Sequence, residues 1–345
     1  MTLTASAIEF VERVGLPDRV VKLGMELMVE RTSRRLSALS DDTEIRFVDH
    51  MAMAAIAEHS AVANAQHYEL PPAFFEQVLG PRRKYSCCLY QVGDSLAEAE
   101  ERALQETVGN AALCDGQDIL ELGCGWGALT LFMAQAFPRS RITAVSNSFA
   151  QRVFIEGAAQ ALGLRNISIV TADMNAFEPG RTFDRIVSVE MFEHMANWQA
   201  LLGRIKGWLS PDGRLFVHVF THRNRPYVFD HRDSSDWIAQ HFFTGGIMPS
   251  RGLIHRVAEG FAVEREWRWN GQHYKHTALD WLRNFDAHRD EIDDVLRDVY
   301  GKDARLWARR WRMFFLATAQ LFGAGRGDVW GVSHYRLRPL TAANA

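Results

Sequence analysis

Apolar residues recur at helical spacing through roughly the first 66 positions. Ile8, Val11 and Val14 form one set with Phe10 beside them; Val20, Leu23 and Leu27 form a second; Phe47, Met51 and Ala54 form a third. Pro17 interrupts the first helix, and a short element is bracketed by Pro71-Pro72 and Gly80-Pro81. From Asp118 the period changes. Asp118–Leu122 is a short strand that ends in a glycine turn, followed by a helix over 128–137. Strands at 141–145 and 166–171 flank a helix over 148–162. The run 185–189 is apolar enough to be buried on both faces. A helix over 198–209 closes at Pro211-Asp212-Gly213, and a fifth strand runs over 215–220. Strands alternating with helices predict a doubly wound, mostly parallel sheet. Residues 223–256 break the alternation with Pro226, Gly245, Gly246, Pro249 and many aromatics, as an inserted cap would. A strand pattern over 261–269, helices over 280–322 and a last strand at 334–338 complete the chain. The expected organisation is a helical region over 1–80, a core over 81–222, a cap with helices over 223–325, and a C-terminal strand over 326–345 that completes the sheet.

Composition narrows the function classes. Thirty-nine basic residues stand against 42 acidic ones, a net charge of −3, which argues against a nucleic-acid binder. The start MTLTASAIEFVERVG has no basic stretch followed by a long apolar run, so no secretory leader is expected. The apolar run 313–325 is too short to span a bilayer. Cys87, Cys88, Cys114 and Cys124 include no CxxC pair and read as reduced thiols of a cytoplasmic protein.

The chemistry concentrates after the first strand. Glu121-Leu-Gly123-Cys-Gly125-Trp-Gly127 places glycines at alternate positions where the chain turns into a helix, which allows a sharp turn and close approach to a ligand. The GxGxG spacing is neither the dinucleotide GxGxxG nor a P-loop. It resembles motif I of S-adenosylmethionine (SAM)-dependent methyltransferases. That resemblance implies a class I Rossmann-like fold with a seven-stranded, mostly parallel sheet. It also implies SAM as cofactor and S-adenosylhomocysteine (SAH) as its product. At the end of the second strand, Asn147 and Gln151 offer amides to ribose hydroxyls, although Ser146 and Ser148 serve equally as helix caps. At the end of the third strand, Asp173 suits the adenine amino group and Met174 its ring; a capping Asp is the alternative.

An ordered series of segments is more specific: Lys84-Tyr-Ser-Cys-Cys88, Val189-Glu-Met-Phe-Glu-His-Met195, Gly245-Gly246-x-x-Pro249-Ser250, and His273-Tyr274-x-x-Thr277 with Trp281. Together these resemble the cyclopropane fatty acid synthase superfamily, over residues 66 to 338. The resemblance adds Tyr85 and Ser86 to the cofactor contacts. In cyclopropane synthases a bound bicarbonate acts as base, and the positions matching its ligands are Cys87, Glu193, His218 and Tyr274. Those enzymes carry Gly where this chain has Glu190. Glu190 instead resembles the coclaurine N-methyltransferase branch. So do His67-Tyr-Glu69-Leu-Pro, Asp236-Trp237 and Trp330-x-x-Ser-His334. That branch implies a small amine as acceptor, with Glu69 and Trp237 near it. Glu190, Glu193, His194 and Tyr274 would be the catalytic set, with Glu193 or His194 receiving the proton. Cys87 and His218 would complete the acceptor site. No metal is expected, since the segment lacks metal-ligand spacing. The alternative is a cyclopropane synthase or lipid C-methyltransferase using bicarbonate, which alone would require membrane contact. A homodimer is one allowed assembly.

Overall fold

The computed structural model describes residues 3–40, 42–58 and 70–340. Three helices come first: α1 (Leu3–Val14), α2 (Asp18–Ser37) and α3 (Asp42–Ala52). The break between α1 and α2 falls where Gly15 adopts a left-handed φ of +72° and Pro17 caps α2. A short α4 (Pro72–Val78) and α5 (Leu96–Asn110) lead into the core. Ser95 and Glu98 make a reciprocal capping box at the start of α5, which explains why a chain rich in glutamate begins a helix there.

The core then alternates: β1 (Asp118–Leu122), α6 (Ala128–Ala136), β2 (Arg141–Ser146), α7 (Phe149–Ala161), β3 (Ile167–Thr171), β4 (Phe183–Val189), α8 (Trp198–Trp208) and β5 (Leu209–His222). The inserted region holds a small hairpin, β6 (Tyr227–Val228) with β7 (Ile247–Met248), and the short helices α9 (Trp237–His241) and α10 (Leu253–Val257). Strand β8 (Phe261–Asn270), helices α11 (Gly271–Ala287), α12 (Arg289–Tyr300) and α13 (Ala304–Gly323), and strand β9 (Trp330–Pro339) follow.

Seven strands form one sheet in the order β3-β2-β1-β4-β5-β9-β8. The first five are parallel, and β9 runs antiparallel to both of its neighbours. The class I Rossmann-like architecture is therefore as the motifs imply. Three boundaries differ from the sequence reading. The turn at 211–213 is absorbed as an irregularity in β5, whose register jumps between Phe183 and Arg185. Helix α11 begins at Gly271, nine positions before the apolar run that signals it. Strand β8, inside the region read as cap and helices, belongs to the main sheet, where it pairs with β9.

Helix α13 packs on α11 and also contacts α1 and α2. Trp281, Trp311 and Phe315 are fully buried in that layer. Charge pairing fixes the N-terminal helices: Arg312 bridges Asp18 on α2 and Asp286 on α11, and Arg310 reaches Glu12 on α1. Among the described residues no helix is long and apolar enough to cross a membrane.

Candidate active site

The C-terminal ends of β1 to β4 open onto a cleft of about 1230 Å³, its mouth included. This is the edge at which open α/β sheets place ligands. Gly123, Gly125 and Gly127 all take left-handed φ angles, of +79°, +51° and +82°. They serve different needs. A Cβ on Gly123 would lie 2.6 Å from the Met191 side chain, and one on Gly127 would lie 2.7 Å from Ile155. A Cβ on Gly125 would meet nothing within 4 Å. Gly123 and Gly125 line the cleft, whereas Gly127 sits behind it as the N-cap of α6.

Of the other positions expected to hold the cofactor, Tyr85, Ser86, Glu121, Asn147, Gln151, Asp173 and Met174 all line the cleft. Glu121 is buried, and its Oε2 accepts from Thr130 Oγ1 at 2.6 Å. Burial pushes its carboxyl up to about 8. Gln151 accepts from Ser146 Oγ at 2.6 Å, while its Nε2 is buried with no partner among the described residues. Trp126 Nε1, also at the cleft, is in the same position. Two buried donors without acceptors, beside a glycine turn with open space above Gly125, fit a ligand that presents hydroxyl or carboxylate oxygens, as SAM does.

Beyond this half stands Glu190, just past the end of β4. Its φ of +49° is a left-handed conformation that a glutamate adopts only under constraint. The constraint is visible. Its backbone N–H donates to His218 O at 2.8 Å. Its Oε1 accepts from the Cys87 backbone N–H at 2.9 Å and lies 3.2 Å from His218 Nε2. Its Oε2 accepts from Tyr274 O–H at 2.7 Å. Burial raises its carboxyl above the ordinary range, opposed by the Lys84 cation and these donors. Lys84 is itself buried and donates to Ser86 Oγ and Cys87 O, both at 2.6 Å. The loop that carries these residues is held from below by Glu100, which accepts from the backbone N–H groups of Arg82 and Lys84.

His194 lines the cleft, and burial pulls its imidazole down to about 4 against the pull of Glu190, so it is neutral at physiological pH. Its ring lies 4.5 Å from that of Phe243. Glu193 is placed differently. It is wholly buried, does not line the cleft, and accepts from the Phe220 N–H at 2.7 Å. Burial and the neighbouring Glu190 hold its carboxyl well above the carboxylate range. Cys87, His218 and Tyr274 also stay out of the cleft lining, and each meets the Glu190 carboxylate. Trp237 is turned toward the N-terminal helices, where its indole N–H donates to Glu12. Glu69 lies outside the described residues. Cleft residues that the sequence reading passed over include Glu58, Lys84, Met191, Met195 and Thr244.

A family model for mycolic acid cyclopropane synthetase matches residues 57–332. The chain belongs to this family. It is a SAM-dependent methyltransferase, as the family's enzymes are. Among curated relatives, (S)-coclaurine N-methyltransferase of Thalictrum flavum subsp. glaucum is 35% identical to this methyltransferase, over 81% of the chain and 79% of its own length. The cyclopropane-fatty-acyl-phospholipid synthase of Escherichia coli K12 is 28% identical over 79% of the chain and 67% of its own. A crystal structure of a coclaurine N-methyltransferase bound to N-methylheliamine and SAH superposes with a TM-score of 0.91 at 30% identity. It covers 96% of this methyltransferase and 99% of that chain. A cyclopropane synthase of Mycobacterium tuberculosis shares the fold, with a TM-score of 0.69 at 22% identity, over 81% and 98% of the two chains.

Proposed function

We propose that the protein methylates the nitrogen of a small amine. One observation carries the choice over methylene transfer to a lipid. Of the four groups that the cyclopropane synthase pattern assigns to bicarbonate, three, the Cys87 backbone N–H, His218 and Tyr274, converge on the Glu190 carboxylate, while the fourth, Glu193, accepts from the Phe220 N–H. A carboxylate and a bicarbonate present the same pair of oxygens to such donors. The side chain that replaces glycine here therefore takes up the donors that would hold the free ion.

Bound SAM supplies an electrophilic methyl group on a sulfonium, displaced in line by a nucleophile with a free lone pair. The cleft residues of the cofactor half, with Asp173, Gln151 and the glycine turn, would hold it. A dialkylamine arrives mostly protonated near neutrality and must lose its proton before it can attack. Glu190 attracts and orients the ammonium, its carboxylate fixed by three neighbours so that little reorganisation is needed. His194, neutral and at the cleft, accepts the proton on a ring nitrogen. Burial lowers its proton affinity, and the neighbouring Glu190 opposes that loss and favours the imidazolium. Tyr274 and His218 act on Glu190 rather than on the acceptor. Glu193, buried with its carboxyl accepting from the Phe220 N–H of β5, supports the wall.

The test uses SAM with a fully deuterated methyl group, offered with a panel of secondary amines and with unsaturated phospholipid vesicles. An amine product that keeps every deuterium is expected. A lipid product that has lost one deuterium would mean methylene insertion with base-assisted proton loss, and would replace this reading.

A further inference from the structure

The chain between α3 and residue 58 carries no regular structure, yet it is fastened at Ala54, Ile56 and Ala57. Asn197 Nδ2 donates to Ala54 O at 2.9 Å and to Ala52 O at 3.3 Å. Ile56 O accepts from the Ala196 N–H at 2.8 Å. At Ala57 a single side-chain amide makes both bonds: the Ala57 N–H donates to Asn175 Oδ1 at 3.0 Å, and Asn175 Nδ2 donates to Ala57 O at 2.9 Å. Ala57, the last of these fastenings, and the next residue, Glu58, both line the cleft.

Asn175 belongs to the turn that follows β3. Its own N–H donates to Asp173 Oδ1 at 2.7 Å, and Arg204 fixes the same turn by donating to Met174 O at 2.6 Å and Asn175 O at 3.1 Å. Asp173 and Met174 line the cleft on the side expected to take adenine. One turn thus presents two residues to the cofactor half of the cleft and grips the N-terminal region with the next. Ala57 is also where the stretch shared with the family begins, so this grip joins the preceding helices to the common core.

We infer that Asn175 is a positioning residue that couples cofactor binding to docking of the N-terminal wall. A ligand that orders the turn at Asp173 and Met174 steadies the amide that holds Ala57, and a docked wall in return steadies the ligand. Asn175 itself is exposed, so its replacement leaves no hole in the core. Asn175→Asp keeps the acceptor for the Ala57 N–H and loses the donor to Ala57 O.

Backbone hydrogen exchange over residues 52–58, with and without SAH, reads this coupling directly, and calorimetry gives the SAH affinity. SAH is expected to slow exchange of the Ala57 amide in the wild-type chain. In Asn175→Ala that effect should vanish and the Kd for SAH should rise by about tenfold, the scale of two lost hydrogen bonds, with Asn175→Asp between the two. Exchange that ignores SAH in the wild type, or that slows equally in Asn175→Ala, overturns the inference. An unchanged Kd does so too, and so does a weakened Kd with the protection intact, which would mean that Asn175 touches the cofactor itself. None of these readouts uses an acceptor, so failure here and failure of the amine assignment are separate results.

Discussion

At the scale of single residues, the proposed chemistry turns on Glu190, and its backbone makes a sharp prediction possible. A φ of +49° is one that glycine takes without strain. Glu190→Gly should therefore fold well while opening a carboxylate-sized gap ringed by the Cys87 N–H, His218 and Tyr274 O–H. Turnover should fall by about a hundredfold or more and be partly restored by added formate or bicarbonate, measured as rate against ion concentration. A loss of activity that neither ion relieves would remove the equivalence between this side chain and the free ion. Glu193→Gln should cost far less than His194→Ala, because Gln keeps an acceptor for the Phe220 N–H at a site where no charge is needed. The sequence already marked Glu190 as a departure from the cyclopropane pattern. Its partners were harder to assign, since Cys87, His218 and Tyr274 come from a loop, a strand and a helix far apart in the chain. Trp237 shows the converse: a family-like motif in the cap, but an indole whose acceptor, Glu12, stands 225 positions earlier.

At the scale of elements, the β1–α6 turn separates binding from packing. Gly125→Ala places its Cβ in the open cleft and should weaken SAH binding, as equilibrium titration would show, with a smaller effect on the melting temperature than Gly127→Ala, the left-handed backbone strain being common to both. Gly127→Ala instead drives a Cβ against Ile155 on α7 and should lower the melting temperature first. Equal effects of the two on stability would contradict this division. The parallel core was legible because its strands are short apolar runs separated by helices with clear turn signals. The boundaries that moved have local causes. Strand β5 absorbs Pro211-Asp212-Gly213 as a bulge on its approach to β4, and Asn270 caps α11, its side chain accepting from Gln272 N–H at 2.9 Å, so the helix starts before its apolar face does. Lys84 stands in a segment that the resemblance singles out, but the sequence does not place it at the cleft; the fold buries it against Ser86 and the Cys87 carbonyl.

At the scale of the whole molecule, buried carboxyls tie stability to pH. The Glu121 carboxyl, raised to about 8 when folded, ionises near 4.3 in an unfolded chain. Between those values the folded state holds a proton that the unfolded chain has released, so stability is greatest below the lower value and falls as pH rises toward the higher one. Glu121→Gln, which keeps an acceptor for Thr130, should flatten the decline in melting temperature between pH 5 and 8; an unaltered slope would place the proton elsewhere. The sheet order carries a different consequence, for the time course of synthesis. Strands β3, β2, β1, β4 and β5 can pair in the order in which they leave the ribosome, but β8 finds no neighbour until β9, the last element described, has been made. Until then β5 is an open edge and the back of His218 is uncovered, since His334 arrives with β9 directly opposite it. The nascent chain thus carries an unpaired strand edge through the synthesis of the five helices α9 to α13, and the stretch around Trp330 to Pro339 closes it in a single late step.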